Sequence, residues 1–383
     1  MAIVTRTPRG AIPRPPHPIF TAGPSITAKE IAYVTDAISN GLNEHSFDYI
    51  TKLEEAFKVY VDVTHTLATS SCTGALHLAL WGLNVGEGDE VIVPDMTWVA
   101  SAAPIHYQRA KPVFVDIERG TWCIDPHAVE RAITKKTKAI IAVHTYGYPA
   151  AMDAINAIAE QHGIAVIEDA APSLGSAIGS RRTGGLGRIG AFSFHGSKIA
   201  AAGEGWMICT GDETLMKRIR VLGNHGRDGG RMLTATCWGI KYNMSNLQAA
   251  FALSQLERID ELFAKKRQNY AWYRELLGDI EGISISTEQP GITWNAWQTS
   301  VILERDFGIT RDEVMGKLKE VGIDTRPFFP PVSSLPMVNV DLSRENPISY
   351  WVAERGINLP SRHDLTEDNA AYVAQELRRI LKI

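Results

Sequence analysis

The sequence predicts an α/β protein: a mostly parallel central sheet with helices on both faces, followed by a smaller α+β domain. Three observations carry this. Between residues 90 and 210, short apolar runs rich in β-branched residues alternate with amphipathic helical patterns, the signature of a parallel sheet covered on both sides. Beyond residue 255 the alternation stops, and helices are interspersed with strands that no longer take turns with them. Finally, 383 residues with 45% hydrophobic character suffice for about two domains and a large core. The expected organisation is an arm over residues 1–25, a large domain over 26–255 and a C-terminal domain over 256–383.

Composition narrows the function classes. A formal charge of −4 and a pI near 6.3 offer no basic field for nucleic acid, so small molecules are the expected partners. No apolar run approaches a membrane span, and the first residues, MAIVTRTPRGAIPRPPHPIF, lack the apolar core of a signal peptide, so the expected location is the cytoplasm. The four cysteines (Cys72, Cys123, Cys209 and Cys237) are widely spaced without metal-type pairing, which points to reduced thiols and no metal.

In chain order, the Pro- and Arg-rich arm reads as extended and could lie on a neighbouring subunit. Thr27-Ala28-Lys29-Glu30 is a capping box opening a helix with Ile31, Val34 and Ile38 on one face and Gly41 as its stop. Ile50, Leu53, Phe57 and Tyr60 mark a second helix. Residues 67–74, LATSSCTG, are small and polar and lead into ALHLALWGL, a turn into a helix N-terminus whose free N–H groups suit a phosphate. Strands are expected at Glu90 to Pro94, Pro112 to Asp116, Lys138 to Val143, Ile164 to Asp169, Gly190 to Phe194 and Trp206 to Thr210. Asp125 caps a helix with Pro126 in first position, and Gly163 closes another over Met152 to His162. Met244 to Leu277 reads as one long helix striped by Leu247, Phe251, Leu256, Ile259 and Leu262. Strands at Ile283 to Ser286, Gln298 to Leu303 and Ile323 to Arg326 follow, with a capped helix from Thr310.

In sheets of this kind the ligand lies at the carboxyl ends of the strands, and that rule selects residues. Asp169 ends one strand. Lys198 sits in the small-residue turn after the next, GAFSFHGSKIAAAGEG, where a lysine has little structural purpose. Trp98 follows an earlier strand end and could cover a flat ring, and Ser193 precedes the lysine by one turn's reach. Each alone has an ordinary reading as a cap, a turn former or a core aromatic. His195, His225 and His363 read equally well as solvated loop residues.

Together, the segments TSSCTGALHLAL, GDEVIVPDMTWVASA, PVFVDI, TKAIIAVHTYG, VIEDAAPSLGS, FSFHGSKIAAAGEG and GIKYNMSNLQAA resemble the DegT-type sugar aminotransferases, within the aspartate-aminotransferase fold (fold type I) of pyridoxal 5'-phosphate (PLP) enzymes. The resemblance spans residues 20–380. It implies that Lys198 forms a Schiff base with the cofactor aldehyde and afterwards moves the proton, for which it must be neutral, a state that burial favours. It implies that Asp169 pairs with the ring nitrogen and keeps it protonated. Backbone N–H groups of Cys72 and Thr73 with the Ser193 hydroxyl would hold the phosphate, and Trp98 would stack on the ring. Asn243 would reach the phosphate of a partner subunit, making a homodimer with composite sites. Arg326 and His225 are candidates for substrate contact, Arg326 as a bidentate fork.

The implied reaction moves an amino group from glutamate, through the pyridoxamine form of the cofactor, to a keto group at C4 of a nucleotide-linked deoxy sugar, as in lipopolysaccharide O-antigen synthesis. Two alternatives share the fold. A sugar dehydratase of this kind carries His in place of the lysine, which Lys198 argues against; a non-catalytic PLP-binding regulator would need a DNA-binding segment that the sequence lacks. Three positions depart from the pattern. Pro172 stands where relatives carry Glu or Gln toward the ring hydroxyl, Cys72 replaces a glycine, and Trp206 replaces another after Gly203-Glu204-Gly205.

Overall fold

The computed structural model describes residues 12–383. Its first part contains strands β1 (His65–Thr69), β2 (Glu90–Pro94), β3 (Lys111–Val115), β4 (Thr137–Val143), β5 (Ala165–Asp169), β6 (Ala177–Ile178), β7 (Arg181–Arg182), β8 (Ile189–Ser193) and β9 (Trp206–Thr210). Seven of these form one sheet in the order β1-β9-β8-β5-β4-β2-β3. Only β9 runs against its neighbours. The expected strands are present within one residue or so at each end. Strand β1 was read as the approach to a turn: its five residues alternate weakly, and what makes them a strand is pairing with β9, from His65 opposite Thr210 to Thr69 opposite Trp206.

Helices α1 (Ala28–Ser39), α2 (Asp48–Val61), α3 (Cys72–Gly82), α4 (Ala103–Tyr107), α5 (Pro126–Ala132), α6 (Met152–His162) and α7 (Glu213–Leu222) belong to this part. Successive residues of the central strands bury on opposite faces. Val91, Val93, Ile141 and Ile167 pack with Leu76 and Leu80 of α3 and Ile219 of α7, while Ile92, Ile140 and Val166 pack with Val129 of α5 and Ile155 of α6. Two-sided burial explains why these strands read as continuous apolar runs.

The capping boxes at Thr27 and Thr310, the Asp125-Pro126 start and the Gly163 stop all form as read. Helix α1 is nevertheless turned from its expected orientation. Ile31 and Ile38 face outward, and the buried positions are Glu30 and Ala37. Burial alone would raise the Glu30 carboxyl, but hydrogen bonds from Thr27, Arg258 and Gln255 pull it down to about 2. Arg258 also explains the second difference. The expected long helix is two, α8 (Asn246–Leu256) and α9 (Ile259–Leu277), and at the break the Arg258 guanidinium reaches Glu30 at 2.7 Å and the Ser25 carbonyl at 3.2 Å.

The later part adds β10 (Ile283–Ile285), β11 (Ile292–Thr293), α10 (Arg311–Glu320), β12 (Ser300–Leu303), β13 (Arg326–Pro327), α11 (Pro347–Arg355), β14 (Gly356–Asn358) and α12 (Glu367–Leu381). Its antiparallel sheet, β10-β12-β14-β13, packs Val301, Leu303 and Ile357 against Leu277, Leu318 and Leu377. The expected strand at Ile323 to Arg326 shrinks to Arg326–Pro327, and β14 had no sequence signal. Residues 12–25 make contacts with this part of their own chain: Ile19 bridges Ile323, and Thr21 Oγ1 donates to Asp324 at 2.6 Å. The remainder of the arm lies outside the described residues.

Candidate active site

A cavity of about 670 Å³ opens at the carboxyl ends of the parallel strands, between the two parts of the chain. Asp169 lies in its wall because β5 ends there, and β8 alongside brings Ser193 to the same edge. The Asp169 side chain accepts from Ser101 Oγ at 2.7 Å and from the Ala171 N–H at 3.2 Å. Burial pushes its carboxyl above the ordinary range, against the pull of Ser101, Lys198, Ala171 and His144. Behind it, His144 Nε2 lies 3.0 Å from Glu168 in a fully buried pair, and Glu168 also accepts three backbone N–H groups from the 184–187 turn. The Ala150 N–H donates to His144 Nδ1, so Nε2 carries the ring proton and faces the carboxylate.

Lys198 lines the same cavity from the turn after β8. The turn is half-buried, and its geometry comes from bonds on both sides. The Lys198 N–H donates to the His195 carbonyl at 2.8 Å, Trp297 Nε1 donates to the Ser197 carbonyl at 2.7 Å, and His363 Nε2 donates to the Ile199 carbonyl at 3.1 Å. The Lys198 Nζ sits 3.9 Å from the centre of the Trp297 ring. A lysine ammonium over an aromatic face is attracted by the ring's quadrupole. His195, expected only as a loop histidine, is an exposed residue of the cavity wall.

At one end of the cavity, Ser71 caps α3, its hydroxyl accepting from the Gly74 N–H at 3.2 Å, with Thr73 in the wall. A side chain at Gly74 would meet Ser71 Oγ and the Tyr242 ring at 2.9 Å, so only glycine allows the turn to close. Cys72 begins this helix and supplies one of its unbonded N–H groups. Ser193 Oγ accepts from the His195 N–H at 3.1 Å and keeps its own proton for a ligand. Trp98 is 58% exposed, so one face of the indole is open to the cavity. Arg326 also lines the cavity. Two expected residues are elsewhere: Asn243 is exposed beside Thr69, and His225 sits in an exposed loop with φ 59°.

Sequence reading missed several wall residues. Ser101 was within reach, three positions after Trp98 in the same turn. Tyr146, just past the end of β4, and Phe328 and Phe329, just past Arg326, were also within reach, whereas Trp297 and Gln298 come from a distant segment and carry no local signal. Pro172 lines the cavity without a polar atom, and Trp206 is fully buried in the wall.

These residues suit PLP. Asp169 is a buried carboxylate whose hydrogen bonds come from a hydroxyl and a backbone N–H, leaving its charge to be matched by a protonated ring nitrogen. The open α3 terminus would suit a phosphate, and Lys198 would supply the amine. Fold and site together define a PLP-dependent transferase. Residues 24–378 match the DegT/DnrJ/EryC1/StrS aminotransferase family, and the chain belongs to that family. It is therefore a PLP-dependent transaminase. The chain is 36% identical to the GDP-perosamine synthase of Caulobacter vibrioides over 365 residues, which is 95% of this chain and 98% of that one. Its structure is similar to the PLP form of Spr1654 from Streptococcus pneumoniae (TM-score 0.89, 26% identity, 96% and 99% of the two chains). It is also similar to an aminotransferase from Psychrobacter cryohalolentis (TM-score 0.88, 27% identity, 95% and 99%). No helix among the described residues is long and apolar enough to cross a membrane.

Proposed function

We propose that this enzyme transfers an amino group from glutamate to the C4 keto group of a nucleotide-linked deoxy sugar, the chemistry of the GDP-perosamine synthases it resembles. The observation that carries the reading is Lys198 and the buried Asp169 in the wall of one cavity, with Trp98 open above and Arg326 also lining it. Bound PLP supplies an electron sink for the carbon that loses or gains the amino group. The chain's residues do the rest. Asp169 holds the proton on the ring nitrogen, Ser193 and the α3 terminus anchor the phosphate, and Lys198 is the base that moves the proton at the reacting carbon. Arg326 offers a fork to the carboxylate of glutamate or to the nucleotide phosphates.

The site is completed, in this reading, by a second copy of the chain. Asn243 lies outside its own cavity and is exposed, where it is available to a partner's phosphate. Ile31, Ile38, Leu42 and Phe47 form an exposed apolar surface of the kind a homodimer covers. The proposed setting is the cytoplasm, in the supply of sugars for a surface polysaccharide.

The test is a panel of nucleotide-linked keto sugars incubated with PLP-loaded enzyme and glutamate, scored by 2-oxoglutarate and by the amino sugar formed. Glutamate-dependent amination of a 4-keto-6-deoxy sugar nucleotide is the expected result. Amination of keto acids alone would sink the substrate assignment.

A further inference from the structure

Within that reading, we infer that Gln298 is the residue that reads the sugar, its amide oxygen accepting a hydrogen bond from a hydroxyl beside the keto carbon. The inference begins with an unsatisfied atom. Gln298 lines the cavity, is 5% exposed, and its Oε1 is buried with no hydrogen-bond partner among the described residues. Buried polar side chains almost always have partners, and leaving one unmade costs about 1–3 kcal/mol. Among the described residues of this wall, Thr145 Oγ1 and Trp206 Nε1 are also unpartnered, but each carries a proton to donate, and Gln298 Oε1 is the orphan that can only accept, which marks where a donor of the ligand belongs.

The backbone around Gln298 is held firmly, so the amide does not simply lack order. Ala296 adopts φ 50°, a conformation costly for a residue with a Cβ. It is held there by Asn295, which is fully buried. The Asn295 amide donates to the carbonyls of Pro172 and Leu174 at 2.9 and 3.0 Å, and its oxygen accepts from the Trp297 N–H at 2.9 Å. On the other side, the Thr299 N–H donates to Ser361 Oγ at 3.1 Å, and its carbonyl accepts from the Leu359 N–H at 2.8 Å. The strained residue therefore aims two consecutive side chains, Trp297 and Gln298, at the cavity wall. Trp297 carries the Lys198 amine on its ring. Gln298 is its immediate neighbour in the chain and lines the same cavity as Lys198.

The orphan's chemistry selects the ligand group. An amide oxygen accepts and cannot donate, so it needs an N–H or O–H. Phosphate and carboxylate oxygens are acceptors and would leave it unpaired, which excludes the nucleotide diphosphate and the glutamate carboxylates. The transferred nitrogen itself belongs over the cofactor. A sugar hydroxyl satisfies the amide, and a site built around such a bond rejects analogues lacking that hydroxyl more strongly than an apolar pocket could.

The two half-reactions separate this role from a structural one. PLP-loaded wild type and Gln298→Met, similar in volume but without the amide, are first mixed with glutamate alone, and the spectral change to the pyridoxamine form is timed. The aminated enzyme is then given the keto sugar found by the panel, and its analogue deoxygenated beside the keto carbon. The expected result is a glutamate half-reaction within about twofold of wild type and a sugar half-reaction slowed about ten- to a hundredfold. The deoxy analogue should react with the two proteins at similar rates. Equal slowing of both half-reactions would overturn the inference, because the amide would then be supporting Trp297 and Lys198. An unchanged sugar half-reaction would overturn it as well. A wild-type enzyme that completes the glutamate half-reaction but aminates no nucleotide-linked keto sugar would instead remove the substrate reading on which the inference rests.

Discussion

The floor of the cavity and its mouth are built differently. On the floor, Asp169, Ser193 and Ser101 are all at most 4% exposed and bonded to one another's elements, and the His144–Glu168 pair behind them is sealed. At the mouth, Trp98 is 58% exposed, and among the described residues Arg326 has a 3.3 Å contact with Thr21 and a 3.8 Å approach to Asp324. A ligand that never changes can be met by groups fixed in advance on strand ends, whereas a larger and more variable one is met by side chains that keep their freedom until it arrives. The floor should therefore be intolerant in catalysis, and the mouth in specificity.

The largest effect that would break this comparison is at Lys198. Lys198→Ala should lower turnover by more than about 10⁴-fold, since it removes both the attachment and the base. Borohydride reduction of wild type should fix the cofactor on the peptide containing Lys198, and on no peptide of the variant. Asp169→Asn should follow, with kcat reduced about 10²- to 10³-fold, the usual scale for losing a fixed charge opposite a developing one. Its effect on the apoprotein has the opposite sign. Burial raises the Asp169 carboxyl, so the folded apoprotein holds this proton more tightly than the unfolded chain does. Relative to Asp169→Asn, wild-type apoprotein should lose stability as pH rises from the ordinary carboxylate range through that raised value. Thermal melts of both apoproteins between pH 4 and pH 8 check it, and parallel curves would contradict it.

The mouth depends on a dock between the two parts of the chain. Asp95, fully buried after β2, accepts from the Ser333 N–H at 2.9 Å, Ser333 Oγ at 2.7 Å and Asn346 Nδ2 at 3.0 Å. Asp116, after β3, accepts from the Ile348 and Ser349 N–H groups at 3.0 and 2.8 Å. These two carboxylates tie residues 329–350, and with them Phe329, to the sheet. Asp95→Ala removes three hydrogen bonds, leaves the Ser333 N–H without its acceptor, and should cost about 3 kcal/mol. Denaturant titration measures the loss, and limited proteolysis should cut within residues 333–346 before the rest of the chain opens. Cleavage spread evenly over the chain would deny the dock.

The same contrast explains what was legible in the sequence. Asp169, Lys198, Ser193 and Trp98 were found because strand ends are punctuated locally: an apolar run stops and a polar or small residue follows. The α3 terminus was found from its caps. Gln298 was not, because it reaches the cavity through the later sheet and the turn at Ala296, which involve partners tens to hundreds of positions away, whereas Tyr146, three residues past the end of β4, lay within reach of the same strand-end rule. The orientation of α1 failed for a related reason. A period of 3.6 marks an apolar face but does not say whether it meets the core or another surface, and here a buried Glu30, bonded to Arg258 from the break between α8 and α9, took the inward side.

The smallest predicted effect tests how far the floor extends. Lys266 of α9 is 1% exposed and donates to the Ser361 carbonyl, two residues from His363, whose ring holds the Ile199 carbonyl next to Lys198. Burial lowers the Lys266 amine to about 7. Burial, with Lys266 nearby, takes His363 down to about 3, so that imidazole stays neutral over the range in question. The unfolded chain keeps a Lys266 proton up to its ordinary value of 10.5, while the folded chain releases it above about 7, so stability gains from this group as pH rises between those values. The slope is at most about 1.4 kcal/mol per pH unit, one proton's worth. Lys266→Met keeps the packing and removes the titration, and Asn269 Nδ2 remains within 3.3 Å of the Ser361 carbonyl. Melting curves from pH 7 to 10 should therefore rise more steeply for wild type than for the variant, while the rates of both half-reactions at pH 7.5 stay within about twofold. A variant that melts in parallel with wild type would mean that the folded chain keeps this proton up to its ordinary value, and that burial does not displace it. One that melts as expected but reacts slowly would extend the floor of the active site down to α9.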